Sequence, residues 1–534
     1  MAPRDQSLRL GEYLQHLAGD AWRSDSFASW PPDVFALVAG VLDRTGCYTF
    51  VIDDWPPCPP ANARRWLSTL RRTAGDWRRA LLSGSPTPTR VLEAWQRLVA
   101  NENTQLRKVC DDAKLQVALL ELLALADDAS ENFGLPSPRD AVEEEAARLL
   151  AASRREAASL CRAVHPTRLQ VLPKQHTPQT GISVRSLSHH LAMIRPRGVA
   201  PRWFRATSEI AVDTEGSQLN VLCVPWPLEI PGHSFRPATP PSGRLPLMKP
   251  VFGFFEYEPP PGEDAADLVS ELIDAVDGQG WGPVHMVVLP ELALSRKDYE
   301  ELHRQLGSRD VVLIAGVWAE GERGRPGQNV VRCDFVGGKG DEIAMEQPKH
   351  HRWLIDSGQI DRYGLTLDKS LRWWEHCTVR ERSLSFITVG PRCTFCVLIC
   401  EDLARQEPAA DVVRAVGPNL VIALLLDGPQ LPGRWPARYA TVLADDPGST
   451  VLTLTSIGMV NRSVGQKGLT PSRAIGLYKD PEHTDPEQIL LEPGHRGVLL
   501  SFRLEAHEEW TADGRSDGGV SGRLLLAKPP RSLP

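Results

Sequence analysis

Along the first 165 residues the apolar positions step by three and four. In segment 64–84, Leu67, Leu70, Ala74, Trp77 and Leu81 fall on one face of a helix, and further helices are predicted near 104–129 and 138–164. The last opens with Ser137-Pro138 and carries Asp140 three residues after the serine, a capping pattern, while Glu143, Glu144 and Glu145 in its first turns suit the helix dipole. From about residue 217 the rhythm changes to short apolar runs separated by amphipathic stretches. NVLCVP (220–225), VHMVVLP (284–290), VVLIAGVW (311–318), FITVG, TFCVLIC, NLVIALLL and TVLTLTS read as strands, with helices at 263–277 and over SRKDYEELHRQLG. Alternation of this kind predicts a layered α/β domain. The expected division is a helical accessory domain over 1–165, a basic, proline-containing linker over 166–216, the α/β domain over 217–510 and a tail over 511–534.

Charge refines this picture. A net charge of −7 argues against wholesale coating of nucleic acid, which needs an excess of Lys and Arg. Locally, residues 162–205 hold eight Lys or Arg, four His and no acidic residue, an arm that can dock on an acidic face of its own chain or on a separate partner. His189-His190 within it reads as a pair of surface histidines, because no Cys or carboxylate stands at ligand spacing. The helix at 64–79 repeats an Arg pair every seven residues (Arg64/Arg65, Arg71/Arg72, Arg78/Arg79); a solvated face is preferred to a protein- or nucleic-acid-binding stripe. Ten cysteines without scaffold spacing suggest reduced thiols. The start, MAPRDQSLRLGEYL, lacks an apolar core, and runs such as 117–126 and 420–426 are too short to cross a bilayer, so a cytoplasmic protein with no membrane partner is expected.

Three islands each place one reactive group where an apolar run ends: VHMVVLPE delivers Glu291, AMEQPKHHRW presents Lys349 in a loop, and CTFCVLICEDLARQEP sets Cys400 before a helix-like segment. A thiol at a strand-to-helix turn sits beside free N–H groups and a helix dipole, both favouring thiolate. Attack on an amide or nitrile carbon then needs donors for the developing charge, which the backbone N–H of Glu401 and the Lys349 ammonium can supply. Glu291 can take the thiol proton, hand it to the leaving amine and activate water. Cys223, Cys393 and Cys396 read as buried hydrophobes; strand alternation sends Cys393 and Cys396 to opposite faces, so no metal is expected.

Glu, Lys and Cys in this order, carried by LPE (289–291), Lys349-His350-His351 and ICEDL (399–403), resemble the nitrilase superfamily of carbon–nitrogen hydrolases, and ICEDL is similar to the glutaminase domains of glutamine-dependent NAD synthetases. The resemblance covers about 217–505. It implies a four-layer α-β-β-α sandwich preceded here by a mostly α-helical domain, no cofactor, a small-molecule amide or nitrile substrate, and assembly into homo-oligomers. It also implies a second active-site Glu, for which Glu375 is the candidate; Ser456 is a further candidate for contact with oxyanion or substrate. Two departures stand out: the arginine after the cysteine is one place late, at Arg405, and a Trp-rich stretch replaces Phe-x-Pro-Gly. The 226–262 insertion and the 350–382 loop are expected at the pocket mouth.

The leading functional expectation is hydrolysis of a non-peptide C–N bond through a Cys thioester. Its alternatives are acyl or amido transfer by the same triad, and a nitrilase-fold binding or assembly protein, for instance in bacterial defence, acting through its N-terminal region. Asp53-Asp54 and Asp445-Asp446 lack the surroundings of a polymerase site, and GERGRPGQN (321–329) reads as a hairpin turn rather than a phosphate loop.

Overall fold

The computed structural model describes the chain except residues 1–7, 20–21, 23–26, 52–54, 154–156, 180, 207–217, 239–251, 263, 308, 322–324, 337–343, 380, 391–392 and 464–471. Asp53-Asp54, the middle of the 321–329 turn and residues 239–251 of the 226–262 insertion therefore lie outside the described residues.

Two seven-stranded sheets face each other. The first runs, in spatial order, Ala344–Pro348, Gln328–Val336, Val311–Ala319, Met286–Ser295, Gln218–Cys223, Gly497–His507 and Ser521–Leu533. The second runs Glu487–Leu490, Ala474–Lys479, Thr450–Thr455, Leu420–Leu425, Cys393–Ile399, Ser383–Gly390 and Ala200–Arg205. The central strands are parallel and buried on both faces, which is why they read as unbroken apolar runs rather than alternating ones. On the first sheet, alternate residues divide the work. Met286, Val288, Val312 and Ile314 face the core shared with the second sheet, whereas Val287, Leu289, Leu313 and Ala315 meet the helices Ala265–Gly278 and Arg296–Gln305. Helices Asp411–Val416 and Trp435–Asp445 complete the layering, giving the α-β-β-α sandwich.

The N-terminal region is helical, with Ala113–Ala129 at its centre. That helix is apolar almost all round and buried along most of its length, packed by helices Pro31–Thr45, Ala63–Ser83 and Thr89–Ala100. Helix ends differ from expectation. The 104–129 segment begins with a 3-10 turn at Leu106–Asp111, and the segment expected to continue to 164 stops at Ala152. Asp140, not Ser137, caps that last helix, accepting from the Val142 and Glu143 N–H groups, while Ser137 lies ahead of the first turn at a positive φ. Of the Arg stripe, Arg78 turns inward onto Asp140, Glu143 and the Glu131 carbonyl, while Arg64, Arg65, Arg71, Arg72 and Arg79 stay exposed.

Two boundaries are corrected. The arm expected as a linker is part of the fold: Gln170–Pro173 pairs with Leu191–Ile194, and Ala200–Arg205 is the edge strand of the second sheet, parallel to Ser383–Gly390. Several of its cations are answered within the chain. Lys174 is buried against the Ser188 and Arg185 carbonyls, Arg185 pairs with Asp446 at 2.8 Å, and Arg195 pairs with Asp43. Of the pair expected at the surface, His189 is buried and His190 half-buried; His176, earlier in the arm, is buried against Glu509. Residues 511–534 are likewise no loose tail, since Ser521–Leu533 pairs antiparallel with Gly497–His507 and closes the first sheet. No helix among the described residues is long and apolar enough to cross a membrane.

Candidate functional site

The first sheet presents three polar side chains in a row across one end. Strand Met286–Ser295 pairs with Val311–Ala319 in regular register up to Leu289, then resumes at Leu294, so residues 290–293 bulge opposite Gly316. Gly316 is required there: a Cβ would lie 2.4 Å from the Pro290 oxygen and 2.5 Å from Glu291 Cα. The bulge, with Leu292 at φ +52°, turns Glu291 out of the ladder and inward. Two strands along, Asn329 lies in Gln328–Val336, and its carbonyl accepts from the N–H of Lys349, which follows Ala344–Pro348.

These elements bring Glu291, Lys349 and Glu375 together. Lys349 Nζ lies 2.7 Å from Glu291 Oε1 and 2.7 Å from Glu375 Oε2. Asn329 Nδ2 donates to Glu291 Oε1 at 2.8 Å and to Glu375 Oε1 at 2.9 Å, and the Trp353 N–H donates to Glu375 Oε2 at 3.0 Å. Glu291 Oε2 is buried and has no hydrogen-bond partner among the described residues. Glu375 arrives on Arg372–Glu375, a strand of a small four-stranded sheet built from pieces of the 226–262 insertion and the 350–382 loop. Aromatic packing of Phe235, Phe255, Tyr257, Trp353 and Tyr363 holds that sheet together over the site.

Cys400 comes from the second sheet. It directly follows strand Cys393–Ile399, its N–H donates to the Leu424 carbonyl at 2.8 Å, and its φ of +46° is a conformation that a non-glycine residue keeps only under surrounding constraint. That constraint includes Asp402, whose carboxylate accepts from the His350 N–H at 3.0 Å and from His351 Nδ1 at 2.9 Å. Asp402 thus ties the Lys349 loop to the Cys400 turn. Glu401 points away and pairs with Arg405 at 3.1 Å, so the displaced arginine stays at the surface. Ser456 caps helix Ile457–Arg462 by accepting from the Met459 N–H, a structural use of its hydroxyl.

Electrostatics at the sulfur correct one expectation. The thiol is pushed well above its ordinary range by burial, and Glu291 adds to this while Lys349 opposes it; the helix that follows has only four residues and so little dipole. The resting group is the thiol, not a thiolate. Glu291 is raised by burial and by the Glu375 charge, against the pull of Lys349. Burial works against the Lys349 charge, but the two carboxylates outweigh it and hold the ammonium protonated. The ensemble is nearly closed: Cys400 keeps 5% of its surface, Lys349 2% and Glu291 1%. A base with a free lone pair, a cation and a thiol in one low-dielectric space can move a proton and stabilise an oxyanion.

Asn329 escaped the sequence reading because it was assigned to the end of a turn; an amide entering an apolar strand, QNVVRCDFV, was its available signal. Tyr257 and Trp353 carried no signal, since aromatic residues in loops are common. No group of three potential metal ligands is found among the described residues.

No family model and no curated protein matches the chain. Solved structures do: an amidase from Nesterenkonia sp. at 14% identity and TM-score 0.33, covering 55% of this chain and 92% of that one, and a cysteine-to-alanine variant of the same amidase in complex with butyramide at 14% identity and TM-score 0.33, covering 54% and 90%. Nit3 of Saccharomyces cerevisiae, a nitrilase-superfamily member, is similar at 13% identity and TM-score 0.34, covering 53% and 89%.

Proposed function

We propose that this protein hydrolyses a non-peptide C–N bond of a small amide through a thioester on Cys400. As the sulfur attacks the carbonyl carbon, its proton passes to Glu291, so that no free thiolate has to exist in a buried site. The Lys349 ammonium and the Glu401 backbone N–H stabilise the oxyanion. Collapse of the tetrahedral intermediate breaks the C–N bond, and Glu291 returns the proton to the departing amine. Water, deprotonated by Glu291, then cleaves the thioester, releasing the acid and restoring the thiol. Glu375 is a positioning residue: it holds Lys349 from the side opposite Glu291 and keeps Glu291 proton-hungry by like charge.

The observation that carries this reading is the Lys349 ammonium clamped at 2.7 Å between two buried carboxylates, one of which keeps an unpartnered oxygen. Such a site spends stability on reactivity. The test is incubation with short primary amides, following ammonia and acid, with and without hydroxylamine. A common thioester predicts acid alone in the first case and acid plus hydroxamate in the second, with total amide consumed unchanged when deacylation is fast. Product only in the presence of amine would favour acyl transfer, and no product with any amide would refute the hydrolase reading.

A further inference from the structure

Cys400 and Asp427 leave the same edge of the second sheet. Ile399 and Leu424 are partners on adjacent parallel strands, so Cys400 stands one residue beyond that pair and Asp427 three beyond, at the strand ends where ligands of parallel sheets gather. Asp427 Oδ1 is fully used: it accepts from Tyr363 Oη at 2.6 Å, Arg434 Nη2 at 2.8 Å and the Gly428 N–H at 2.8 Å. Oδ2 is buried and has no partner among the described residues, in a residue only 6% exposed. A buried carboxylate oxygen left bare costs free energy unless something donates to it.

Aromatic side chains pack next to it. Tyr363, which holds Asp427, packs edge-on against Trp353 with centroids 6.2 Å apart, and Trp353 packs against Phe255 at 5.8 Å. Tyr257 closes the Glu291 side, its hydroxyl buried and also without a partner among the described residues. Lys349, the cation beside the sulfur, is already held between Glu291 and Glu375. Arg434 is paired with Asp427 Oδ1, and Arg462 donates through Nη1 and Nη2 to the Ile230 and Gly364 carbonyls, its Nε left without a partner among the described residues. Aromatic walls with a spare carboxylate oxygen suit a cationic nitrogen.

We infer that the substrates are primary amides whose acyl chain ends in an ammonium group, which donates to Asp427 Oδ2 while the amide carbon meets Cys400. This rests on the hydrolase reading above and adds the substrate class. The experiment compares kcat/KM of the full chain for three primary amides of equal length, ending in ammonium, methyl or carboxylate. The ammonium compound is expected to exceed the methyl one by at least about 10-fold and the carboxylate by about 100-fold. Asp427→Asn should bring the ammonium-to-methyl ratio near one; if that variant fails to fold, the wild-type ratio decides alone. A wild-type ratio of one or below overturns the inference while leaving hydrolysis intact. If no amide is turned over, hydrolysis fails, and calorimetric titration of the full-length Cys400→Ser chain still decides the pocket: tighter binding of the ammonium amide supports it, and equal or absent binding overturns it.

Discussion

Two buried clusters in this molecule each set a cation among carboxylates, and they are finished differently. Arg515 enters from the C-terminal segment and reaches Asp127, Asp128 and Asp513, together with the Leu187 and Ala124 carbonyls. Asp127 in turn accepts from the backbone N–H groups of His189, His190 and Leu191, so both its oxygens are occupied. Around Lys349 the count falls short, with Glu291 Oε2 and Asn329 Oδ1 left without partners among the described residues. Saturation makes the Arg515 cluster a rivet between the helical region, the arm and the C-terminal segment. Incompleteness at Lys349 leaves a lone pair free for proton traffic.

This contrast can be broken in several ways. Cys400→Ala should lower amide turnover by roughly 10⁴-fold or more while leaving the urea midpoint where it was; an equal fall in both would make Cys400 a core residue. Glu291→Gln should cost about 10²- to 10⁴-fold in kcat. The same change should raise stability by about 1 kcal/mol at neutral pH. The sign follows from the shift: Glu291 is raised in the folded state, so its ionised form costs stability once the pH exceeds the ordinary carboxylate value. Arg515→Met should do the opposite, costing about 3–5 kcal/mol in urea unfolding by stranding buried carboxylates, and a loss under about 1 kcal/mol would mean the rivet is not needed.

Smaller effects sharpen the picture. Glu375→Gln removes the like charge that lifts Glu291, so the acid limb of the kcat/KM profile should move to lower pH; an unmoved limb would assign it to another group. Arg71→Ser and Arg72→Ser, on the exposed face of helix Ala63–Ser83, should change stability by less than about 0.5 kcal/mol.

Legibility in the sequence followed locality. The strands that read as continuous apolar runs are the buried parallel ones, and Glu291 and Cys400 were visible because each ends such a run, whereas Lys349 follows the short polar edge strand AMEQP and was visible through the Lys-His-His motif. Glu375 was visible only as a weak match, since its partners Lys349 and Asn329 are joined to it through space. The arm and C-terminal segment were misread for a related reason. Prolines and cations mark a linker locally, but here Asp127, Asp446 and Glu509, distant in sequence, absorb the polar backbone and charge and let the segments join the core. Composition reports the charges of a segment; it does not report who answers them.

The central claim is that Cys400, almost enclosed, is nevertheless the reacting thiol, because Glu291 can take its proton on contact with an amide. Intact-mass and peptide analysis after brief exposure to limiting chloroacetamide tests this directly, since the chain also carries an exposed Cys110 and a half-buried Cys58. The account predicts one acetamide group per chain on Cys400, slowed by a competing short amide. Label on Cys110 and Cys58 with Cys400 untouched would contradict it.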